Sequence, residues 1–188
     1  MHFKNRAMKY NKELLIEKIN NGEEVEYLFF WGHRPSADGQ ITKSCFSQWW
    51  QSQFIADGKT YKTAEHWMME KKALLFGDYE ISEKIIATDD PAKVKSLGRL
   101  VKGYNDLLWK EKSEQIVIEG NYHKFNQQDK LKHFLLSTKD AVIVEASPLD
   151  TIWGIGLASD NADAYHPKKW LGLNLLGFAL MEVRDRLR

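Results

Sequence analysis

The stretch TAEHWMMEKKA, residues 63–73, sets a carboxylate and an amine among residues suited to a core. Read as a helix, it places Glu65 and Lys72 seven positions apart, nearly two full turns, so both leave from one face with Met68 and Met69 between them. A lysine kept partly dry has a lowered pKa and can attack a carbonyl carbon as an amine, giving a Schiff base. A nearby carboxylate can supply or accept the proton. The plainer reading of the same residues is a pair at the edge of a core helix with its charged tips in water. Lys71 leaves about 100° away from Lys72 and is expected to be solvated.

A second constellation is VEASPLDTIWGIG at 144–156. A strand here delivers Glu145, and a proline-broken loop then carries Asp150, Trp153, Gly154 and Gly156. Loops at strand ends often hold reacting groups, and glycine lets a backbone come close to a ligand. Trp153 can stack on a base or a sugar ring. The alternative is a tight turn whose tryptophan plugs the core, with Asp150 as its cap. The GIG run does not continue as GxGxxG and sits in no βαβ unit, so it is no dinucleotide fingerprint. Trp49, Trp50 and Trp109 also stand where a platform is conceivable, although most of the seven Trp, seven Tyr and nine Phe must fill core. Arg34, Lys43, Arg99 and Lys124 are candidate phosphate contacts.

Other chemistries find little support. The six histidines show no HExxH or paired spacing, and the lone Cys45 leaves no zinc set, so neither a metal nor a cofactor is expected. Cys45 has no helix start or histidine partner to activate it. There is no P-loop and no GxSxG. With 27 basic and 26 acidic residues the formal charge is +1, which gives no global field for gripping a nucleic-acid backbone. A nucleotide-sized ligand held by a few local cations remains compatible with that balance. A single cysteine, no N-terminal signal pattern and no apolar run of membrane length lead to the expectation of a cytoplasmic protein without membrane association.

The elements that must position these residues follow from their patterning. The 188 residues suit one domain with a sizeable core. Asn11 can cap a short helix carrying Leu14, Leu15 and Ile19, ended by Asn21-Gly22. VEYLFFW (25–31) and AVIVEAS (141–147) read as buried strands. Residues 32–44 form a polar loop, CFSQWW is expected in an exposed strand or turn, and Asp57-Gly58 marks a hairpin. Helices follow: Thr63 capping a run to about Phe76, Asp78 to Ala87, a restart at Asp90-Pro91, Asn105 towards Tyr122, Asp129 to Leu136, and 174–187. The pattern is α+β, a mainly helical domain around a small β-sheet.

In order along the chain stand FSQWW, YKTAEHWMMEKKALLFGD, DPAKVKSLGR, Trp109, KF at 124–125, VEASPLDTIWGIGL and WLGLNLLGFALMEVR. Together these resemble the NADAR, or YbiA-like, family from about residue 28 to the C-terminus. The resemblance implies a YbiA-like fold over residues 28–188, preceded by an N-terminal helical extension, residues 1–27. It also implies N-glycosidase activity, the hydrolysis of a bond between ribose and a nitrogen base. Reported family substrates are phosphorylated aminopyrimidine intermediates of riboflavin biosynthesis, or ADP-ribose attached to guanine. The family's glutamate of the EH motif falls on Glu65, its lysine before alanine on Lys72 and its tryptophan after the LGR block on Trp109. Its aspartate and tryptophan before glycine fall on Asp150 and Trp153. Thr151 stands where an arginine is frequent, and the 32–44 insertion is polar.

On this resemblance Lys72 is expected as nucleophile, Glu65 as acid/base and Asp150 as a second carboxylate. Trp109, Trp153, Gly154, Trp49 and Asn174 are expected around the substrate, with Arg34 and Arg99 towards phosphate. The implied partner is a small phosphoribosyl or ADP-ribosyl substrate. Nucleic acid enters only if ADP-ribosyl-guanine is the target. A non-catalytic ADP-ribose or nucleotide sensor is the reading from another class, and a dry amine beside an acid argues against it.

Overall fold

The structure is a computed structural model that describes residues 9–188; the first eight residues of the expected N-terminal extension lie outside them. In chain order the elements are α1 (Lys12–Asn20), β1 (Tyr27–Phe30), β2 (Phe54–Ala56), β3 (Lys59–Tyr61), α2 (Ala64–Leu75), α3 (Tyr79–Ala87), α4 (Pro91–Arg99), α5 (Asp106–Asn126), α6 (Asp129–Ser137), β4 (Val142–Glu145) and α7 (Leu175–Leu187). Short polar side chains set most helix starts by accepting the first free backbone N–H groups: Asn11, Thr63, Asp78, Asp90 and Asn105 each do so, and Pro91 opens α4. No helix among the described residues is long and apolar enough to cross a membrane.

The fold is α+β and mainly helical, as expected, and its described residues fall into two compact units. Among the described residues one is continuous, Gln48–Asp129, and the other joins residues 9–47 to Lys130–Arg188. The expected small sheet is likewise two separate pairs among the described residues.

In the continuous unit β2 and β3 form an antiparallel hairpin, with Phe54 opposite Tyr61. Its turn is Asp57-Gly58, both at positive φ (51° and 72°), the twist that a two-residue hairpin loop requires. α2 is the central helix, packed against α3, α4 and α5. Trp67 shows why: it is fully buried, donates its indole N–H to the Ile116 carbonyl at 2.8 Å, and joins a cluster of Phe54, Ala56, Tyr61 and Ile116.

In the other unit β1 and β4 pair in parallel, Tyr27 beside Val142 and Phe30 beside Glu145. β4 is buried by α7, and Ile143 and Val144 are fully enclosed. Buried Arg184 of α7 donates to Thr138 Oγ1 (2.9 Å) and the Ala141 carbonyl (2.8 Å), tying that helix to the entrance of β4. The segment expected as an exposed strand or turn begins instead as a 3-10 turn, Lys43–Phe46. Cys45 and Phe46 are fully buried there, because Phe46 meets the rings of Phe30 and Phe134 edge-on or tilted at 5.5 and 5.4 Å.

Candidate active site

α2 fixes the acid and the amine. Thr63 ends the extended chain after β3, and its hydroxyl accepts the His66 N–H, so the helix starts one residue before Glu65. The Glu65 backbone N–H donates to the Gln48 carbonyl at 3.0 Å, and the residue is 5% exposed. Met68 and Met69 are buried beside it. Lys72 lies two turns on, about 10 Å along the helix axis at 1.5 Å per residue.

Lys72 is half-buried. Its Nζ donates to the Gly98 carbonyl at 2.9 Å and stands 4.4 Å from the centre of the Tyr104 ring and 5.5 Å from that of Trp109. Burial pushes its pKa below the ordinary lysine value. Among the described residues no carboxylate pairs with it. Trp109 is half-buried against the cluster around Trp67. Trp49, also half-buried, lies 5.9 Å beneath the ammonium of Lys95, and Arg99 is exposed at the end of α4. Sequence reasoning missed Tyr104 and Gly98 as neighbours of the amine. Tyr104 carries no local signal, whereas Gly98 sits in the SLGR run that the resemblance had already marked.

Two cations differ from expectation. Lys71 is not solvated; it is 6% exposed, with its ammonium 2.9 Å from Asp57 and 3.2 Å from Glu70. The face about 100° from Lys72 is itself covered, by the hairpin that carries Asp57 and Tyr61. Lys124 is fully buried, with its ammonium 5.1 Å from the centre of the Phe125 ring, so it is no surface phosphate contact.

The other unit holds the second constellation. Asp150 Oδ1 accepts the N–H of Ile152 at 2.9 Å and of Trp153 at 2.8 Å, and its carbonyl accepts from Gly156 at 3.0 Å. This is a capped turn with Trp153 half-buried upon it. Gly154 is required by its own surroundings: a Cβ there would lie 2.8 Å from the Glu145 carbonyl oxygen and 3.0 Å from that of Asp150. Asn174 is fully buried at φ 58°. Its Oδ1 accepts the Glu145 N–H and its Nδ2 donates to the Ile143 carbonyl, both at 2.9 Å, so it clamps the start of α7 onto β4. The Asn174 N–H donates to the Gly154 carbonyl at 3.1 Å, joining clamp and turn. Arg34 is exposed in the polar loop.

Thus Lys72 and Trp109 come together within one unit, with Glu65 on the same helix. Asp150, Trp153, Gly154 and Asn174 come together within the other. A separate cavity of about 340 Å3 in the second unit, lined by Ile16, Tyr27, Tyr165 and Lys168 among others, includes none of these residues. Among the described residues no group of three or more His, Cys, Asp or Glu is placed to hold a metal ion.

Comparison with known proteins adds a family. The NADAR domain model matches residues 29–188. N-glycosidase R617 of Acanthamoeba polyphaga mimivirus is 42% identical over 168 residues, covering 87% of this chain and 97% of that protein. N-glycosidase YbiA of Escherichia coli (strain K12) is 33% identical over 131 residues, 70% of this chain and 73% of its own. The NMR structure of E. coli YbiA superposes with a TM-score of 0.67 at 27% identity, covering 88% of this chain and 86% of that one.

Proposed function

The chain belongs to the NADAR domain family, whose relatives named above are N-glycosidases, and from that premise we propose that it hydrolyses the N-glycosyl bond of a small nucleoside-like substrate with Lys72 as nucleophile. The observation that carries this reading is the state of Lys72. It is an amine partly withdrawn from water, with lowered pKa, no carboxylate to neutralise it, and aromatic faces beside it. A lysine kept only for structure gains most from an anionic partner, as its neighbour Lys71 has.

The reaction balances as follows. The bond from C1 of ribose to the base nitrogen breaks while Glu65 protonates the departing base, and carboxylate charge stabilises the oxocarbenium-like C1. The neutral Lys72 amine bonds to C1 and passes a proton to the Glu65 carboxylate, which delivers it to O4 as the ring opens. Opening of the ring at the C1–O4 bond then gives a Schiff base. Water adds to C1, the amine leaves, and the products are free base and sugar. Trp109 and Trp49 flank the substrate beside the amine and Arg99 meets its phosphate; the further roles are Asp150 for ribose hydroxyls or proton transfer, Trp153 as a second aromatic wall and Arg34 for phosphate. The substrate class is a phosphorylated ribosyl-aminopyrimidine of riboflavin biosynthesis, with ADP-ribosyl-guanine as the competing class.

Borohydride trapping tests this directly. Each candidate substrate is offered with borohydride, and the Lys72 peptide is read by mass spectrometry. An adduct on Lys72 with one substrate class, absent in Lys72→Ala, is expected. Turnover of either substrate without any lysine adduct would remove the Schiff-base step, and ADP-ribose binding without turnover would favour a sensor.

A further inference from the structure

We propose that Gly98 is a positioning residue for the Lys72 amine: its missing side chain seats Met69, and the close approach so gained puts its own carbonyl on Nζ. The inference deepens the reading of Lys72 given above and rests on it.

Two observations meet at this residue. A Cβ built on Gly98 would stand 2.1 Å from Met69 Sδ, 2.9 Å from its Cγ and 3.3 Å from its Cβ. The Cβ contact would yield to a shift of a few tenths of an ångström, but Sδ and Cγ must both move, and Met69 is buried, so a side chain at 98 either displaces the methionine into its packed neighbours or presses α4 away from α2. Backbone conformation does not demand glycine here, since φ is not positive; only the crossing does. The second observation is the 2.9 Å bond from Lys72 Nζ to the Gly98 carbonyl. Gly98 lies in the last turn of α4, where carbonyls have no partner within the helix and carry its negative end. Met69 and Lys72 are three positions apart on α2 and so face the same neighbour. One residue therefore sets both the depth of the crossing and the acceptor for the amine.

The consequence is directional. A neutral amine has two N–H bonds and one lone pair. An N–H committed to Gly98 restricts rotation about the Cε–Nζ bond and aims the lone pair away from α4. The seated Met69 meanwhile keeps the stem of Lys72 out of water. Lifting α4 would lengthen the hydrogen bond, wet the amine and return its pKa towards that of an ordinary lysine.

The test is a double-mutant cycle of Met69→Ala, Gly98→Ala and both together, with two readouts. The first is acetic anhydride labelling of Lys72 across pH, read on its peptide, which needs no substrate. The second is kcat and KM on an N-glycoside. With Gly98→Ala, labelling at neutral pH is expected to fall at least threefold and kcat at least tenfold, with KM within twofold. On the Met69→Ala background the same change is expected to cost less than twofold, because the seat is already empty. Unchanged labelling and kcat in Gly98→Ala overturn the proposal, as does an equal cost on both backgrounds. If Gly98→Ala does not fold, the clash-free double variant is compared with Met69→Ala. Matching Lys72 labelling is then expected, and a shifted profile overturns the proposal. The nucleophile reading fails separately, by full turnover in Lys72→Ala, and leaves the labelling result standing.

Discussion

Lys71 Nζ lies 4.3 Å from the centre of the Trp67 ring, and the same ammonium reaches Asp57 and Glu70. The next residue along α2 has no such anion. Two adjacent lysines therefore stand in opposite settings, one ion-paired and the other donating to a backbone carbonyl, with no carboxylate partner among the described residues. Lys71→Met is expected to cost about 3 kcal/mol in urea denaturation, since it leaves fully buried Glu70 with less compensation. Lys72→Met is expected to leave Tm unchanged or raised while abolishing turnover. Equal stability losses in the two variants would contradict this division.

The lowered pKa of Lys72 gives a pH profile. On the proposed mechanism the nucleophile is the neutral amine, so activity is expected to rise as pH rises through the titration of Lys72. The midpoint falls below the ordinary 10.5 because burial disfavours the cation. A rising limb of kcat/KM centred below that value, moved or lost in Gly98→Ala, is the expected result.

The observed cap and the proposed catalytic role of Asp150 can be separated. Its Oδ1 caps the turn by accepting from Ile152 and Trp153, and an asparagine keeps that oxygen but not the charge. Asp150→Asn is expected to hold Tm within about 2 °C, a shift worth about 0.5–1 kcal/mol at this chain length, yet lose at least tenfold in kcat. Asp150→Ala should lose both. Full activity in the asparagine variant would restrict Asp150 to the cap.

His66 makes the fold sensitive to mild acid. Its Nδ1 lies 2.8 Å from Thr63 Oγ1, and its Nε2 lies 3.0 Å from the Thr88 carbonyl, which accepts an N–H from it. Burial lowers its pKa from 6.5, against an opposing effect of the bond to Thr88. Below 6.5 the unfolded chain takes up a proton that the folded chain refuses, so stability falls as pH drops. Thermal melts between pH 7.5 and 5.5 should show this decline, and His66→Gln should flatten it.

Asn174→Ala removes an acceptor from the Glu145 N–H and a donor from the Ile143 carbonyl, both on β4. It also puts alanine at positive φ. A loss of about 2 to 3 kcal/mol is expected from the unmet backbone groups together with the strained conformation. Chemical denaturation with an unchanged KM in the surviving folded fraction would assign Asn174 to the clamp alone.

The legible part of this molecule is its punctuation. Asn11, Thr63, Asp78, Asp90 and Asn105 announce helix starts, because a short polar side chain at those positions satisfies donors the helix cannot. Periodicity also set Glu65 and Lys72 on one side of α2. It did not reveal what covers the other sides. Lys71 was read as solvated because its angle was known and the hairpin over it was not. Phe46 reads as exposed because its two ring partners, Phe30 and Phe134, are distant in sequence and leave no local trace. Gly154 and Asn174 read as ligand-facing from their types. Their hydrogen bonds and close backbone contacts depend on how β4 meets α7, which no single segment encodes. Glu65, Lys72, Asp150 and Trp153 stand out by type and spacing, with Trp109 among the candidate platforms, and the family resemblance adds what each is expected to do.

The pairing of Tyr27 with Val142 has a temporal side. During synthesis β1 leaves the ribosome more than a hundred residues before its partner exists, a wait of the order of ten seconds at usual elongation rates. The intervening Gln48–Asp129 unit is by then wholly emerged and free to acquire its own helices. Until β4 arrives, a short greasy ribbon is left with bare edges, and nascent chains stalled in that interval are the ones most exposed to sticking together.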